Sequence, residues 1–172
     1  MVRGMVVQIR RLRADEWPEL RRLRLQALVE APTAFGSTLA EEQSYSDEVW
    51  RDRALGASAG CDRATFVAEI NSVWIGSVTG LANQFTTANG IPLLVAMFVV
   101  ASERKQGVGV NLVTTVVSWA RGCGAGQLAL WIASENPAAT ALYERCEFHY
   151  TGAIKPHAHA PGLIEKEMIR QL

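Results

Sequence analysis

Two basic residues and two glycines lie close together in the stretch ERKQGVGVNLV, which runs from Glu103 to Val113. The stretch follows a long apolar run and precedes residues whose apolar spacing is helical. A glycine bend between a strand and a helix brings backbone close to a ligand, and the unpaired N–H groups at a helix start favour an anion. We therefore predict that backbone N–H groups of residues 106–110 bind a phosphate, with Arg104 or Lys105 adding positive charge.

Two common phosphate-binding motifs do not fit this bend. A P-loop requires a lysine and a hydroxyl residue directly after its last glycine, whereas Val110 and Asn111 stand there. A dinucleotide fingerprint requires a third glycine for close helix packing, and Leu112 occupies that position. The pattern that remains is R-x-x-G-x-G, which begins at Arg104. By itself this pattern also fits an ordinary turn.

A second stretch, NPAATALYERCEF, combines helix-start signals with an aromatic hydroxyl. Asn136 is a good N-cap, and Pro137 suits the first helical position. Tyr143 follows seven residues after Asn136, and Phe148 begins a β-rich run. Taken alone, Tyr143 is equally well explained as a packed aromatic side chain on a helix face.

The elements that must position these stretches follow from hydrophobic periodicity. Residues 6–13 alternate like a half-buried strand, and two β-rich runs on either side of residues 71–72 predict a hairpin. Residues 93–100 and 127–133 are further strands, with a helix between them. The predicted order is β-α-α-β-β-β-α-β-α-β-β, which describes one mixed α/β domain.

The composition excludes several classes of protein. The 172-residue chain has 49% apolar residues and 17 basic against 17 acidic residues, so no global charge favours nucleic acid or an anionic membrane. The longest apolar run, residues 91–101, is too short to cross a bilayer, and arginines follow the start too closely for a signal peptide. The three cysteines have no paired spacing, which argues against a disulfide framework and for a reducing compartment. We therefore expect a cytoplasmic protein without nucleic-acid or membrane partners.

Taken together, MFVVASERKQGVGVNLV and LWIASENPAATALYERCEF resemble the GNAT superfamily of acetyl-CoA-dependent N-acetyltransferases. The resemblance implies an α/β fold in which about four helices flank a central mixed, mostly antiparallel sheet of six to seven strands. It implies a single N-acetyltransferase domain over residues 1–172, acetyl-CoA as co-substrate and no metal. A homodimer is common in such folds, and one chain does not decide it.

The resemblance also implies roles for individual residues. The backbone around Phe98 and Val99 would pair with the pantetheine arm of the coenzyme like an added strand. Asn136 would hold a pantetheine amide through its side chain, and Tyr143 would be the catalytic residue, with its hydroxyl at the thioester sulfur. The diphosphate would be bound by Arg104, Lys105, Gln106, Gly107, Val108, Gly109 and Val110.

One departure from the family pattern affects the placing of Tyr143. Glu147 stands where the family usually has a glycine that ends the helix in a left-handed conformation. That conformation costs a non-glycine residue about 1–2 kcal/mol. Either the turn differs here, or Glu147 tolerates the strain.

Acetyl transfer requires an uncharged amine, and a lysine-like amine is neutral at pH 7 in only about one molecule in 2,500. Many family members carry a glutamate on the strand before the phosphate bend, but residues 93–100 contain none. The sequence offers Glu41, Glu42, Glu69 and His149 as candidate bases and does not choose among them.

The acceptor is expected to enter beside the segment APTAFGSTLAEE, residues 31–42, and the ends of the later strands. Acidic residues in that segment indicate a cationic acceptor, and a small polyamine, an amino acid, an antibiotic amine and a protein N-terminus all remain open. The alternative function is a CoA-binding or sensing module that retains the cofactor cleft without turnover.

Overall fold

The computed structural model describes residues 6–82 and 90–172. In these ranges the strands are β1 (Gln8–Arg11), β2 (Arg63–Ile70), β3 (Val73–Leu81), β4 (Leu93–Val99), β5 (Gln127–Ala133), β6 (His149–Pro156) and β7 (Ile164–Gln171). The α-helices are α1 (Trp17–Glu30), α2 (Leu39–Gln43), α3 (Asp47–Ser58), α4 (Val108–Gly122) and α5 (Pro137–Arg145). No helix in the two ranges is long and apolar enough to cross a membrane.

The seven strands found in the described residues form one sheet with the order β1-β2-β3-β4-β5-β7-β6. The β4–β5 pair is parallel and the other neighbouring pairs are antiparallel. The predicted mixed, mostly antiparallel α/β sheet is therefore confirmed. The short helix α2 was not predicted from the sequence, although Thr38 and Glu41 form the capping box that begins it.

The sheet lies between two hydrophobic clusters, one on each face. Helices α4 and α5 pack on one face, and α1 and α3 pack on the other. Helix α4 is rich in β-branched residues, which have weak helix propensity. Its valines Val113, Val116 and Val117 are almost fully buried, and burial of each contributes about 1.5–3 kcal/mol. Packing therefore outweighs propensity in this helix.

Strands β4 and β5 diverge soon after they meet. Their parallel register is formed at Leu93 and Ala129, near the start of β4. Ala96 then takes a left-handed conformation (φ 53°), and the β3–β4 register shifts between Ser77 and Thr79. This is the geometry of a β-bulge, which bends a strand away from its partner. The later part of β4 is thus separated from β5 by a gap.

The expectation of no disulfide is wrong. Cys61, which follows α3, is bonded to Cys123 at the end of α4, with 5.7 Å between the Cα atoms, and Cys146 is a buried free thiol. The two bonded residues are 62 positions apart, so only the tertiary structure brings them together. Because disulfides are rare in reducing compartments, the cysteines no longer support the cytoplasmic location, which stays a prediction.

Candidate active site

The start of α4 presents backbone N–H groups without intrahelical partners. Gly107 is the N-cap, with φ 85° and ψ −8°, and no side chain in the described part of the chain caps this helix end. The first helical hydrogen bond runs from Asn111 N to Gly107 O at 3.0 Å. The N–H groups of residues 108–110 therefore lack acceptors within the helix. Apart from its chain neighbours, no described residue has an atom within 4 Å of a Cβ placed on Gly107, so the bend is not packed against another described element.

The two glycines of this bend have different tasks. Gly107 supplies the left-handed turn, which L side chains rarely adopt. A Cβ on Gly109 would lie 3.3 Å from Leu142 Cδ2 and 3.4 Å from Met97 Cε. The missing side chain at Gly109 thus allows Leu142 of α5 to lie against the first turn of α4.

The two basic residues before the bend are placed differently. Arg104 Nε donates to Val99 O at 2.8 Å, and Arg104 Nη2 pairs with Glu30 Oε2 at 3.1 Å. Its charge is thus shared with Glu30 at the end of α1. Lys105 is exposed, with φ 63°, two residues before the N-cap. Lys105 is therefore the better placed of the two to add charge beside the start of α4.

The cleft between β4 and β5 is bordered by Phe98 and Val99. Phe98 is buried in the core beneath α1, and the guanidinium of Arg104 lies 5.7 Å from the centroid of its ring. Val99 O accepts the hydrogen bond from Arg104, which leaves its second lone pair for another donor. Both residues lie beyond the bulge at Ala96, where β4 has left β5.

Helix α5 carries the other residues expected in the site. Asn136 Oδ1 accepts from Ala139 N at 3.1 Å, which confirms Asn136 as the N-cap and leaves its amide NH2 as the donor. Tyr143 is 6% exposed, and its ring meets Phe148 edge-on at 5.8 Å. Burial, together with the nearby Cys146, raises the pKa of Tyr143 well above its ordinary value.

Glu147 takes the left-handed conformation that the family gives to glycine, with φ 64°. Phe148 N donates to Tyr143 O at 3.0 Å and Glu147 N donates to Glu144 O at 2.9 Å, which is the Schellman pattern. Arg170 pairs with the Glu147 carboxylate at 2.6 Å. Of the two alternatives, the second holds: the usual turn is kept and Glu147 tolerates the strain.

Three of the four candidate bases have other tasks or positions. The carboxylate of Glu69 is paired with Arg10 at 2.9 Å. Glu41 is exposed and caps α2 through Thr38. His149 is exposed on β6. None of these three lines the cavity described next.

A cavity of about 740 Å³ opens beside the first half of β4. Residues 93–96 form one wall, ending at the bulge, and the half-buried Trp131 of β5 forms another. The charged residues among the described lining are Arg24, Arg53, Arg63, Lys155, Glu42 and Glu165. Glu42 was expected here from the sequence, but the basic residues were not, because they come from helices and strands outside the acidic segment.

Glu42 is the fourth candidate base and lies at the centre of this charged group. It is 2% exposed, and its carboxylate accepts hydrogen bonds from Arg24 (2.9 Å), Arg53 (3.1 Å) and Ser37. Burial acts to raise the pKa of Glu42, but the hydrogen bonds and charges of its partners lower it overall. The carboxylate is thus ionised and held, which makes it a poor proton acceptor.

No group of three or more His, Cys, Asp or Glu side chains within residues 6–82 and 90–172 is arranged to hold a metal ion. His157 and His159, which are two residues apart in sequence, instead bond to backbone. Their Nε2 atoms lie 3.1 Å from Thr33 O and 2.9 Å from Gly36 O, respectively. The loop before β7 is thereby fastened to the segment that lines the cavity.

Comparison with known proteins identifies the class of this chain. The model of the acetyltransferase (GNAT) family matches residues 9–148. No curated protein matches by sequence. Among solved structures, an acetyltransferase of the GNAT family from Streptococcus pneumoniae is 20% identical, with a TM-score of 0.81 over 97% of this chain and 99% of that one.

Two further solved structures share the fold. YncA from Salmonella typhimurium, solved with its cofactor acetyl-CoA, is 18% identical, with a TM-score of 0.78 over 96% of this chain and 94% of that one. The PaiA N-acetyltransferase from Thermoplasma acidophilum, in complex with coenzyme A, is 14% identical, with a TM-score of 0.69 over 98% of this chain and 100% of that one.

Proposed function

This chain belongs to the acetyltransferase (GNAT) family and is an enzyme of that class; we propose that it transfers an acetyl group from acetyl-CoA to a primary amine, by direct attack within a ternary complex. The observation that carries the proposal is the alignment of three features along β4. The uncapped start of α4 lies beyond its end, the gap to β5 follows the bulge at Ala96, and the cavity lies before the bulge.

The described residues around the end of β4 and the start of α4 fit coenzyme A. The N–H groups of residues 108–110 and the charge of Lys105 suit a diphosphate, and the bend at Gly107 is not packed against another described element. The backbone at Phe98 and Val99 borders the gap where a pantetheine arm would lie as an added strand. The amide NH2 of Asn136 is the donor for a pantetheine carbonyl.

Bound acetyl-CoA supplies an activated acyl group, and Tyr143 stabilises the sulfur that departs. A phenol with an ordinary pKa near 10 is already a weaker acid than a thiol near 8.5, by about 2 kcal/mol. Burial raises the pKa of Tyr143 further, so complete proton transfer from the phenol is more unfavourable still. We assign Tyr143 the role of hydrogen-bond donor to the sulfur.

The acceptor amine would enter through the cavity. Both carboxylates among its described lining residues are ion-paired, Glu42 with two arginines and Glu165 with Lys155 at 3.1 Å. We therefore assign neither as the general base. The acceptor is a small molecule or a peptide, and we propose a cytoplasmic enzyme that acts without nucleic acid or membrane.

The proposal is tested by following free thiol while the protein is incubated with acetyl-CoA and a panel of primary amines. The panel contains polyamines, amino acids, aminoglycosides and peptides with a free N-terminus. We expect saturable, acceptor-dependent thiol release with at least one class. If calorimetry detects acetyl-CoA binding and no amine accelerates thiol release, the chain is a binding module and the proposed transfer is wrong.

A further inference from the structure

We propose that the acceptor is an amino-acid-like amine that carries a carboxylate, and that Arg53, beside the charge of Arg24, binds this carboxylate in the cavity beside β4. The inference rests on the proposed function and specifies its substrate class. It also reverses the charge that the sequence suggested for the bound group, because the acidic residues of APTAFGSTLAEE indicated a cationic acceptor.

The charges around the cavity favour an anion. Four basic and two acidic side chains line it among the described residues. Glu165 is paired with Lys155, and Glu42 is shared by Arg24 and Arg53. One carboxylate between two guanidinium groups leaves an excess positive charge at that point. An incoming carboxylate would balance this charge, whereas a second cation would be repelled by it.

Arg24 has donor capacity that the described residues do not use. Its Nε and Nη2 donate to Glu42, and Nη2 also donates to Ser37 at 2.9 Å. Its Nη1 is buried and has no hydrogen-bond partner in the described part of the chain. Because this atom has almost no accessible surface, Arg24 contributes its charge to the cavity, whereas Arg53, whose side chain is 33% exposed and bonds to Glu42 through Nη1, has Nε and Nη2 to donate to a ligand.

Both arginines are held in place before any ligand arrives. The guanidinium of Arg24 lies 4.5 Å from the centroid of the Phe35 ring. That of Arg53 lies 4.7 Å from the centroid of Tyr45 and 5.0 Å from that of Trp50. Stacking of this kind reduces the side-chain entropy that binding must remove, and a planar guanidinium suits a carboxylate.

The rest of the cavity suits the remaining parts of such an acceptor. Leu20, Phe35 and Trp131 provide apolar surface for a side chain. Residues 93–96 lead to the bulge, beyond which the gap for the pantetheine arm begins. A carboxylate held on the α1 and α3 side would leave an amine one carbon away facing β4, toward the proposed thioester.

The test measures binding, so it does not depend on turnover. Calorimetry compares N-acetylated phenylalanine, leucine and methionine with their uncharged amides, each titrated into the protein with coenzyme A present. We expect at least one carboxylate to bind about ten-fold or more tightly than its amide, because charge-assisted hydrogen bonds are lost in the amide. Equal affinities for all three pairs would overturn the inference.

Three variants at two residues of helix α3 localise the effect. Arg53→Met should reduce the preference for carboxylate to within about three-fold, and Arg53→Lys, which keeps a charge beside Glu42, should retain part of it. Arg51→Met is the matched control, since Arg51 stacks on Trp17 at 4.7 Å and does not line the cavity. A preference that survives in folded Arg53→Met, or that is lost in Arg51→Met, would contradict the assignment.

The outcome separates this inference from the transfer reaction. The corresponding free amino acids and their amides are also given to the enzyme in the thiol-release assay. Release with amides and polyamines but not with amino acids would support acetyl transfer and overturn the carboxylate subsite. Carboxylate-selective binding without release from any amine would support the subsite and overturn the transfer.

Discussion

Tyr143 lies at the point where two helices and the sheet meet, and its surroundings limit what its hydroxyl does. The ring is buried against Phe148, and burial raises the pKa of the phenol. A phenol in this setting remains protonated through the usual assay range and is available as a hydrogen-bond donor.

Replacing Tyr143 with phenylalanine should lower turnover ten-fold or more and change acetyl-CoA affinity by no more than about three-fold. The change removes one hydrogen bond to the developing charge on sulfur and keeps the packing. Steady-state kinetics and calorimetry measure the two quantities. Tyr150→Phe is the control, because Tyr150 is 42% exposed and bonds to Thr140 at 3.0 Å. Unchanged turnover in Tyr143→Phe would remove this hydroxyl from the mechanism.

At the scale of elements, α4 connects the proposed diphosphate site to the core. Its buried face holds it against the sheet, and its uncapped start leaves the N–H groups of residues 108–110 for an anion. Gly109 leaves room for α5 to pack on α4. The Schellman turn at Glu147 ends α5 with the left-handed residue that the family pattern places there. The position of Tyr143 thus depends on the contact of α5 with α4, on the turn that ends α5 and on the packing of its ring against Phe148.

Gly107→Ala should weaken acetyl-CoA binding about ten-fold or more while maximal turnover changes by less than about three-fold. An alanine at φ 85° is strained by about 1–2 kcal/mol, and relief of that strain moves the N–H groups away from the diphosphate. Calorimetry measures the affinity. Gly122→Ala, in the last turn of the same helix with open space around it, is the control and should bind normally. Normal binding by Gly107→Ala would place the diphosphate elsewhere.

At the scale of the whole molecule, the proposed chemistry and the disulfide lie at opposite ends of α4. Gly107 precedes the helix and Cys123 follows it, so about 22 Å separates the two ends of this 15-residue helix. The cysteine bond therefore acts on stability without touching the site. A separate cavity of about 610 Å³ lies beside Cys61 and Cys123, away from the residues assigned to catalysis.

Replacing Cys61 and Cys123 together by serine should reduce the free energy of unfolding by about 4 kcal/mol, because the bond closes a loop of 62 residues in the unfolded chain. Urea unfolding measures the loss. Below the unfolding transition, turnover should stay within about two-fold of the unmodified protein. A reducing agent should destabilise the unmodified protein and leave the double variant unaffected; equal stability of both proteins without reductant would show that the bond does not form.

Much of the fold was determined by local sequence. The strand and helix order, the α4 start at Gly107 and the N-cap Asn136 follow from periodicity, glycine and capping signals that act within a few residues. The family resemblance depended on the same short-range patterns. The helix α2 was missed although Thr38 and Glu41 carry a capping signal, because the helix is only five residues long.

The acceptor cavity and the disulfide were decided by tertiary structure alone. Arg24, Arg53 and Lys155 are distant in sequence and reach Glu42 or Glu165 only after the helices dock on the sheet. A sequence displays the acidic residues of one segment but not the arginines that neutralise them. Charge balance in a cavity is a sum over residues that meet in space, and for this reason the acidic segment alone does not predict the charge of the acceptor.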